Sequence, residues 1–597
     1  MIRIHALVAA LALLLGISTA GAQVPPPDDV DLRTLQVSEG IVQLFRQFPD
    51  SVWPGYDLAE RPFVVYRPGG WALLLGYLHD TADFSAYPLN WPDLGHPVRF
   101  HEGEYGNMIG RIVFDFPLDD TLTVAVPVPD AVPEMPGLER LSFEEYVFGF
   151  IVHEAFHQYQ YEAFGEIPWE REERYPILNV GNTAGAVLEM RLLADALGAA
   201  ADDDKGRCED LTSMFAAVRK HRWEKHADFI RRFEQGLEIR EGTAKYVEVK
   251  ALDLVKELSY HSDVPASPPL PDKMEDVTAM DLLRAEFEVR LRDGSVSPED
   301  MPRNRVYPVG AAQGLLLDYF GVDWKDAAQR AGYDFSMADL LIERLAVEAD
   351  SLPRLLTRAR YKYEMEDITR VTERAIDSYL TGYSRAFREF EERPGRIVEV
   401  KTKRSGVSRS RSTSERKWLM NGGRFQLCLG YEVYSLSSHD LLLQVEDSAL
   451  LEKNDWEGGT RTVTLIVDGD LRFEIDSRPV ALLGRDLPEA ESRDGGSPES
   501  IPERGPDPEP GRGGSGTSDD DRFPGSRETE GETSPALHGA GSRDAAGEGD
   551  ISQQPAPDLH RDFKEIELSA EGLFLKSSLP GTVVCRGDTV RIDLTGE

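Results

Sequence analysis

Cysteine is scarce. Three occur in 597 residues, at Cys208, Cys428 and Cys585. No C-x-x-C is present, which excludes a zinc site built on cysteine. An odd number cannot all pair within one chain. Cys428 and Cys585 fall in strand-like segments near the C-terminus and form the candidate pair. Positive charge is also short: 66 Lys and Arg stand against 105 Asp and Glu, a net charge of −39. Phosphate binding needs a basic footprint, so nucleic acid is not an expected partner, and neither is an anionic membrane surface. Long apolar runs are missing too. The run at 6–17 is too short for a bilayer, and no later segment qualifies, so no integral membrane span is expected. That run follows Arg3 and His5 and precedes the small residues Ala20, Gly21 and Ala22, the pattern of a signal peptide over residues 1–22. The expectation is an exported protein, periplasmic or secreted. There is no Gly-rich phosphate loop, no G-x-S-x-G elbow and no internal repeat.

What the chain does hold is His153-Glu154-Ala155-Phe156-His157. On an α-helix, residues i and i+4 lie one turn apart on nearly the same face. Both imidazoles can then reach one metal ion. Glu154 sits about 100° round the helix, placed to reach a water on that metal rather than the metal itself. Two neutral ligands and a poised carboxylate suit zinc-assisted hydrolysis. The helix is itself readable. Ser142 and Glu145 form an S-x-x-E capping box, a helical run follows over 143–164, and Gly165 is a stop signal. Phe148, Phe150, Ile151, Val152, Ala155 and Phe156 make it apolar round much of its circumference, so it is expected to be buried. Two buried His and a Glu are costly without partners. A zinc ion supplies one; core hydrogen bonds are the plain alternative.

Zinc needs a third protein ligand. Further on the chain reads Glu241-Gly242-Thr243-Ala244-Lys245-Tyr246-Val247-Glu248, and later Tyr307-Pro308-Val309-Gly310. With H-E-x-x-H before them, these segments resemble the gluzincin metallopeptidases, aminopeptidase N-like families above all. The resemblance covers roughly residues 140–325. It implies Glu241 as third zinc ligand and the Tyr307 hydroxyl as stabiliser of the tetrahedral oxyanion. Departures exist. The gap of 241 − 157 = 84 residues is longer than is typical of those families. Arg240 stands where Asn is usual, and no G-x-M-E-N segment precedes the zinc helix, so aminopeptidase specificity is not implied. Glu189 is the rival third ligand, because its helical segment at 187–193 follows the zinc helix more closely. The thermolysin- and neprilysin-like E-x-x-x-D pattern fails there, since position 193 is Leu. Whichever carboxylate is not the ligand could orient a ligating His. Glu248, seven residues after Glu241 on the same helix face, could do the same.

The fold class expected is α+β and zincin-like. Residues 23–136 read as a small α/β portion, with strands at 112–116 and 122–126. Residues 137–395 read as a helical zinc-peptidase domain, and 396–597 as a β-sandwich-like accessory domain. A Gly, Pro, Ser and acid-rich insertion at 486–560 is expected to be disordered. A Pro-rich connector lies at 264–271, and the Arg/Ser-rich stretch 401–417 reads as an exposed hairpin loop or an anion binder. The function expected is an exported hydrolase with one zinc per chain, acting on peptides or proteins. Zinc is held by His153, His157 and Glu241. Glu154 is the general base, and Tyr307 is set at a helix mouth by Pro308 at the first helical position. Two other classes share these residues: a non-catalytic zincin-like surface or binding protein, against which the intact Glu154 weighs, and a zinc hydrolase of a non-peptide substrate. The sequence sets no oligomeric state.

Overall fold

The computed structural model describes residues 29–481 and 559–595 apart from short breaks. The main stretches outside the described residues are 1–28, 87–97, 104–113, 133–140, 166–171, 261–269, 271–277 and 482–558. The expected signal peptide, most of the Pro-rich connector and almost all of the 486–560 insertion lie there.

The described chain begins with α1 (Asp29–Gln47) and then builds a sheet from β1 (Phe63–Arg67), β2 (Trp71–Leu75), β3 (Ser85–Ala86), β4 (Arg99–Glu102), β5 (Phe114–Leu118) and β6 (Thr121–Pro127). The strand order is β3-β4-β2-β1-β6-β5. Only β1 and β6 run parallel, which leaves β5 at an edge. Successive side chains on a strand point to opposite faces, and this sheet buries both. Phe63, Val65, Leu73, Leu75, Val124 and Val126 join the main core. Val64, Tyr66, Ala72, Leu74 and Ala125 form a small core on the other face with Tyr77, Phe84 and Leu118.

Helices follow: α2 (Phe143–Ala163), α3 (Val180–Ala201), α4 (Lys205–Lys225), α5 (Asp228–Leu237), α6 (Thr243–Leu254), α7 (Ala279–Arg290) and α8 (Val306–Tyr319). The capping box is present in full: the Ser142 hydroxyl accepts from the Glu145 amide and the Glu145 carboxylate accepts from the Ser142 amide. α2 is anchored by aromatic rings. Trp53 packs against Phe156, Phe164, Tyr246 and Trp324 at centroid distances of 5.2–6.1 Å, and the Tyr56 hydroxyl donates to the Val152 carbonyl.

Between α5 and α6 the backbone makes one π-helical turn, Glu238–Gly242, so 228–254 is a continuous helical run with one wide turn in it. That turn presses on α8. A Cβ built on Gly242 would lie 2.6 Å from the Gly310 Cα, and one on Gly310 would lie 2.9 Å from the Glu238 carbonyl oxygen. The glycines of the E-G and Y-x-x-G segments are thus the point where two backbones touch, which no side chain would permit.

Helices α9 (Lys325–Ala331), α10 (Met337–Arg344), α11 (Leu352–Lys362) and α12 (Met365–Glu391) complete the helical part. No described helix is long and apolar enough to cross a membrane. The remainder is sheet: β7 (Arg396–Lys403), β8 (Ser408–Thr413), β9 (Lys417–Met420), β10 (Phe425–Ser437), β11 (Leu441–Asp455), β12 (Thr460–Val467), β13 (Arg472–Ile475), β14 (Arg478–Ala481), β15 (Leu559–Phe563), β16 (Ile566–Ala570), β17 (Leu573–Ser577), β18 (Gly581–Arg586) and β19 (Thr589–Asp593).

Among the described residues these strands form one hydrogen-bonded set of 13, with β10 bonded to β8, β9 and β11. The length of β10 and β11, 13 and 15 residues, makes this possible, because each can pair with different neighbours along its course. The 401–417 stretch is not simply an exposed loop. Ser408–Thr413 is a strand against β10, and Arg409 is drawn inward by Glu452, at 2.9 Å, and by Glu173 of the helical part. Trp418, Leu419, Leu427 and Leu429 likewise share the core of the helices. Cys428 is buried, and the Cys585 side chain lies outside the described residues.

Candidate metal centre

His153 and His157 stand edge to face on α2, ring centroids 5.0 Å apart. Each ring has its Nδ1 engaged. His153 Nδ1 donates to Glu248 Oε2 at 3.1 Å, and His157 Nδ1 donates to Gln160 Oε1 at 2.8 Å. The Gln160 orientation is itself fixed, because its amide nitrogen donates to the carbonyls of Ile239 and Arg240 at 3.1 and 2.9 Å. With hydrogen on both Nδ1 atoms, the Nε2 atoms are the lone-pair sites. Both face Glu241 Oε2, at 3.9 Å from His153 and 3.3 Å from His157.

The ligand atoms of His153, His157 and Glu241 all lie within 4.8 Å of one another, and the 3.9 and 3.3 Å between the Glu241 oxygen and the two Nε2 atoms are separations that two bonds of about 2 Å each can bridge. Glu241 Oε2 is buried and has no hydrogen-bond partner among the described residues. A buried carboxylate oxygen left so is expensive, and a cation between it and two imidazole lone pairs removes the cost. The donor set, two neutral imidazoles and one carboxylate, suits zinc.

The charges around the rings agree. Burial opposes a charge on His153, yet the carboxylates of Glu241, Glu248 and Glu154 around it push its pKa up to about 10. Burial also works against the Glu248 carboxylate, but Lys245 and His153 hold it down at about 2. For Glu241, burial is outweighed by His157, His153 and Arg303, which keep it well below the usual carboxylate range. The pocket is built to hold positive charge. Gln160 fixes His157 and also ties α2 to the turn that carries Glu241, so Gln160→Ala should lower zinc affinity about 10–100-fold, the range for partners that orient a metal ligand. Competition with a chromogenic chelator measures it, and unchanged affinity would remove Gln160 from the site.

Glu189, the rival ligand, is elsewhere. It is fully buried on α3 and its oxygens are taken by Arg219 at 2.9 Å and by Arg222 at 2.8 and 3.0 Å. It orients no ligating His either; that role falls to Glu248. Glu189 belongs to a buried cluster in which Arg219, Arg222 and Arg305 meet Glu189, Glu234 and Glu238. Glu238 opens the π turn that carries Glu241, and Arg305 precedes Tyr307 by two residues. The cluster therefore holds both elements in place from behind.

A cavity of about 330 Å³ opens beside the rings, lined by His153, Glu154, Glu248, Asn304 and Tyr307, with Tyr146, Phe150, Val249 and Leu252 as apolar walls. Glu154 is half-buried, and its carboxylate has no hydrogen bond or ion pair among the described residues. The Tyr307 ring stacks on His153 at 5.7 Å and 15°. Its hydroxyl accepts from Arg303 Nε at 3.3 Å. Burial and the neighbouring Glu241 raise its pKa, so it keeps its proton at neutral pH and can donate. Pro308 is not the first helical residue: α8 starts at Val306, which makes Pro308 the third. The first-turn amides lack helical partners anyway, so Pro308 is still tolerated there.

The structure thus gathers His153, Glu154, His157, Glu241 and Tyr307 at one place. Gln160 and Arg303 are additions. The first had a readable signal, since it lies three residues after His157 and so on a neighbouring face of α2. Comparison with known proteins returns no family model, no curated protein and no solved structure that matches the chain.

Proposed function

We propose that this is a zincin-like metallopeptidase that binds one zinc per chain through His153, His157 and Glu241 and is exported. One observation carries the reading: a buried carboxylate oxygen without a donor faces two imidazole Nε2 atoms, and an uncommitted carboxylate, Glu154, stands next to them in an open cavity. When bound, zinc supplies a Lewis acid that eases the ionisation of water near neutral pH and polarises a carbonyl.

The chain's own groups do the rest. Glu154 takes the proton that the attacking water loses and hands it to the leaving amine. Tyr307 donates its hydroxyl hydrogen to the carbonyl oxygen as negative charge grows there. Glu248 and Gln160 keep both imidazoles in one tautomer and one orientation.

The test is substrate profiling of zinc-loaded protein on a mixed quenched-fluorescence peptide library, with chelated protein as control. Cleavage that needs zinc supports the reading. Zinc-loaded protein that cleaves simple esters or amides but no peptide would move it to a non-peptide substrate. Tyr307→Phe gives a finer check. It should lower kcat about 10²–10³-fold with KM little changed, as expected for a donor used mainly in the transition state. An unchanged kcat would leave the hydroxyl without a part in the reaction.

A further inference from the structure

Arg303 precedes Tyr307 by four residues, and its side chain is 48% exposed at the rim of the site. Its Nε donates to the Tyr307 hydroxyl oxygen at 3.3 Å, and a terminal nitrogen donates to Glu241 Oε1 at 3.3 Å. A guanidinium has five N–H donors and no acceptor, and it does not give up its charge. A phenol oxygen carries one hydrogen and accepts through its lone pairs. Since Arg303 occupies a lone pair, the Tyr307 hydrogen cannot point at Arg303. It must point toward Glu241 or into the cavity that holds His153 and Glu154. The same guanidinium takes the Glu241 oxygen that the imidazoles do not face, Oε1, and leaves Oε2 to them. Donation to the phenol oxygen also polarises its O–H bond and strengthens it as a donor.

We infer that Arg303 is a positioning residue: it holds the Tyr307 hydroxyl as a donor turned to the side of Glu241 and the cleft, and restricts Glu241 to presenting Oε2 to the metal. This deepens the role given to Tyr307 above and rests on it. Arg303 itself need not touch the substrate.

The decisive measurement avoids peptide recognition. Acetohydroxamate, a small metal-directed oxyanion, is titrated by calorimetry into the zinc-loaded full chain. The proteins are the unchanged chain, Arg303→Met, Tyr307→Phe and the double variant; Met keeps much of the apolar stem. Arg303→Met should weaken binding about 10-fold, Tyr307→Phe about as much, and the double variant no more than Tyr307→Phe alone. Zinc stoichiometry should stay at one in each. In peptide assays kcat should fall in Arg303→Met with KM unchanged, and should not fall further in the Tyr307→Phe background. Losses that multiply in the double variant would show Arg303 acting as an independent charge and overturn the inference. So would unchanged acetohydroxamate affinity in Arg303→Met, and zinc held as tightly there as in the unchanged chain would remove Arg303 from the setting of Glu241. If the unchanged chain binds acetohydroxamate yet cleaves no peptide, the peptidase reading falls while the binding cycle still decides Arg303. A chain that takes up no zinc overturns both.

Discussion

Replacing Glu154 with glutamine should leave one zinc per chain and lower turnover about 10²–10⁴-fold. The two halves of that expectation come from different parts of the geometry. Zinc should remain because Glu154 is not in the three-residue group that can hold an ion, and because the hydrogen bonds that set the His153 and His157 rings run to Glu248 and Gln160. Turnover should fall because glutamine has nearly the same shape but cannot accept and pass on a proton. Folding stability should hardly move, since Glu154 has no hydrogen bond or ion pair to lose among the described residues. Elemental analysis, the peptide assay and a urea melt together separate these effects. A variant that kept zinc and near-normal turnover would require another base. A variant that lost zinc would make Glu154 a ligand, against the placement seen here.

The second large effect is on stability and lies behind the site. Glu234 is fully buried and accepts from Arg222 at 2.5 and 2.7 Å, from Arg305 at 2.5 Å, and from the Trp223 indole at 2.7 Å. Glu234→Gln keeps the volume but leaves two buried guanidinium groups short of countercharge. Breaking a buried pair in this way typically costs about 3–5 kcal/mol, so the urea midpoint should drop markedly at pH 7. The pH dependence follows from the sign of the shift. Burial would raise the Glu234 pKa, but Arg222 and Arg305 hold it well below the ordinary value of 4.5. A group with a depressed folded pKa adds stability above its unfolded pKa, and that stability is lost as pH falls toward the folded value. The unchanged chain should therefore weaken as pH drops below about 4.5, and Glu234→Gln should show less of this acid loss. Equal midpoints at pH 7 would mean that the cluster is not a stabilising clamp. Because Glu238 and Arg305 belong to the same cluster, the variant should also bind zinc less tightly.

Much of this was legible in the sequence, and the reason is local. The helix bearing His153 and His157 announced itself through its capping box and apolar run, and the structure places it at Phe143–Ala163. The strands expected at 112–116 and 122–126 are Phe114–Leu118 and Thr121–Pro127. Spacing alone put His153 and His157 on one face. What was not legible is long-range. Nothing near Glu189 tells that Arg219 and Arg222, 30 and 33 residues on, will claim it, so its candidacy as a ligand could not be dismissed from the sequence. The π turn at Glu238–Gly242 breaks the 3.6-residue period from which helix faces are read. Arg409 looked like a loop residue because Ser and Arg alternate around it, and only the buried Glu452 on a distant strand explains its inward turn.

The contact between Gly242 and Gly310 has a consequence for how such a chain can change over time. Two backbones meet there with no room for a methyl group, so neither position can drift alone: a side chain at one would wedge apart the turn bearing Glu241 and the helix bearing Tyr307. Glu248, Arg303 and Arg305, which lie between those two side chains in sequence, are tied to the site as well. Distant kin should therefore keep the two glycines as an inseparable pair.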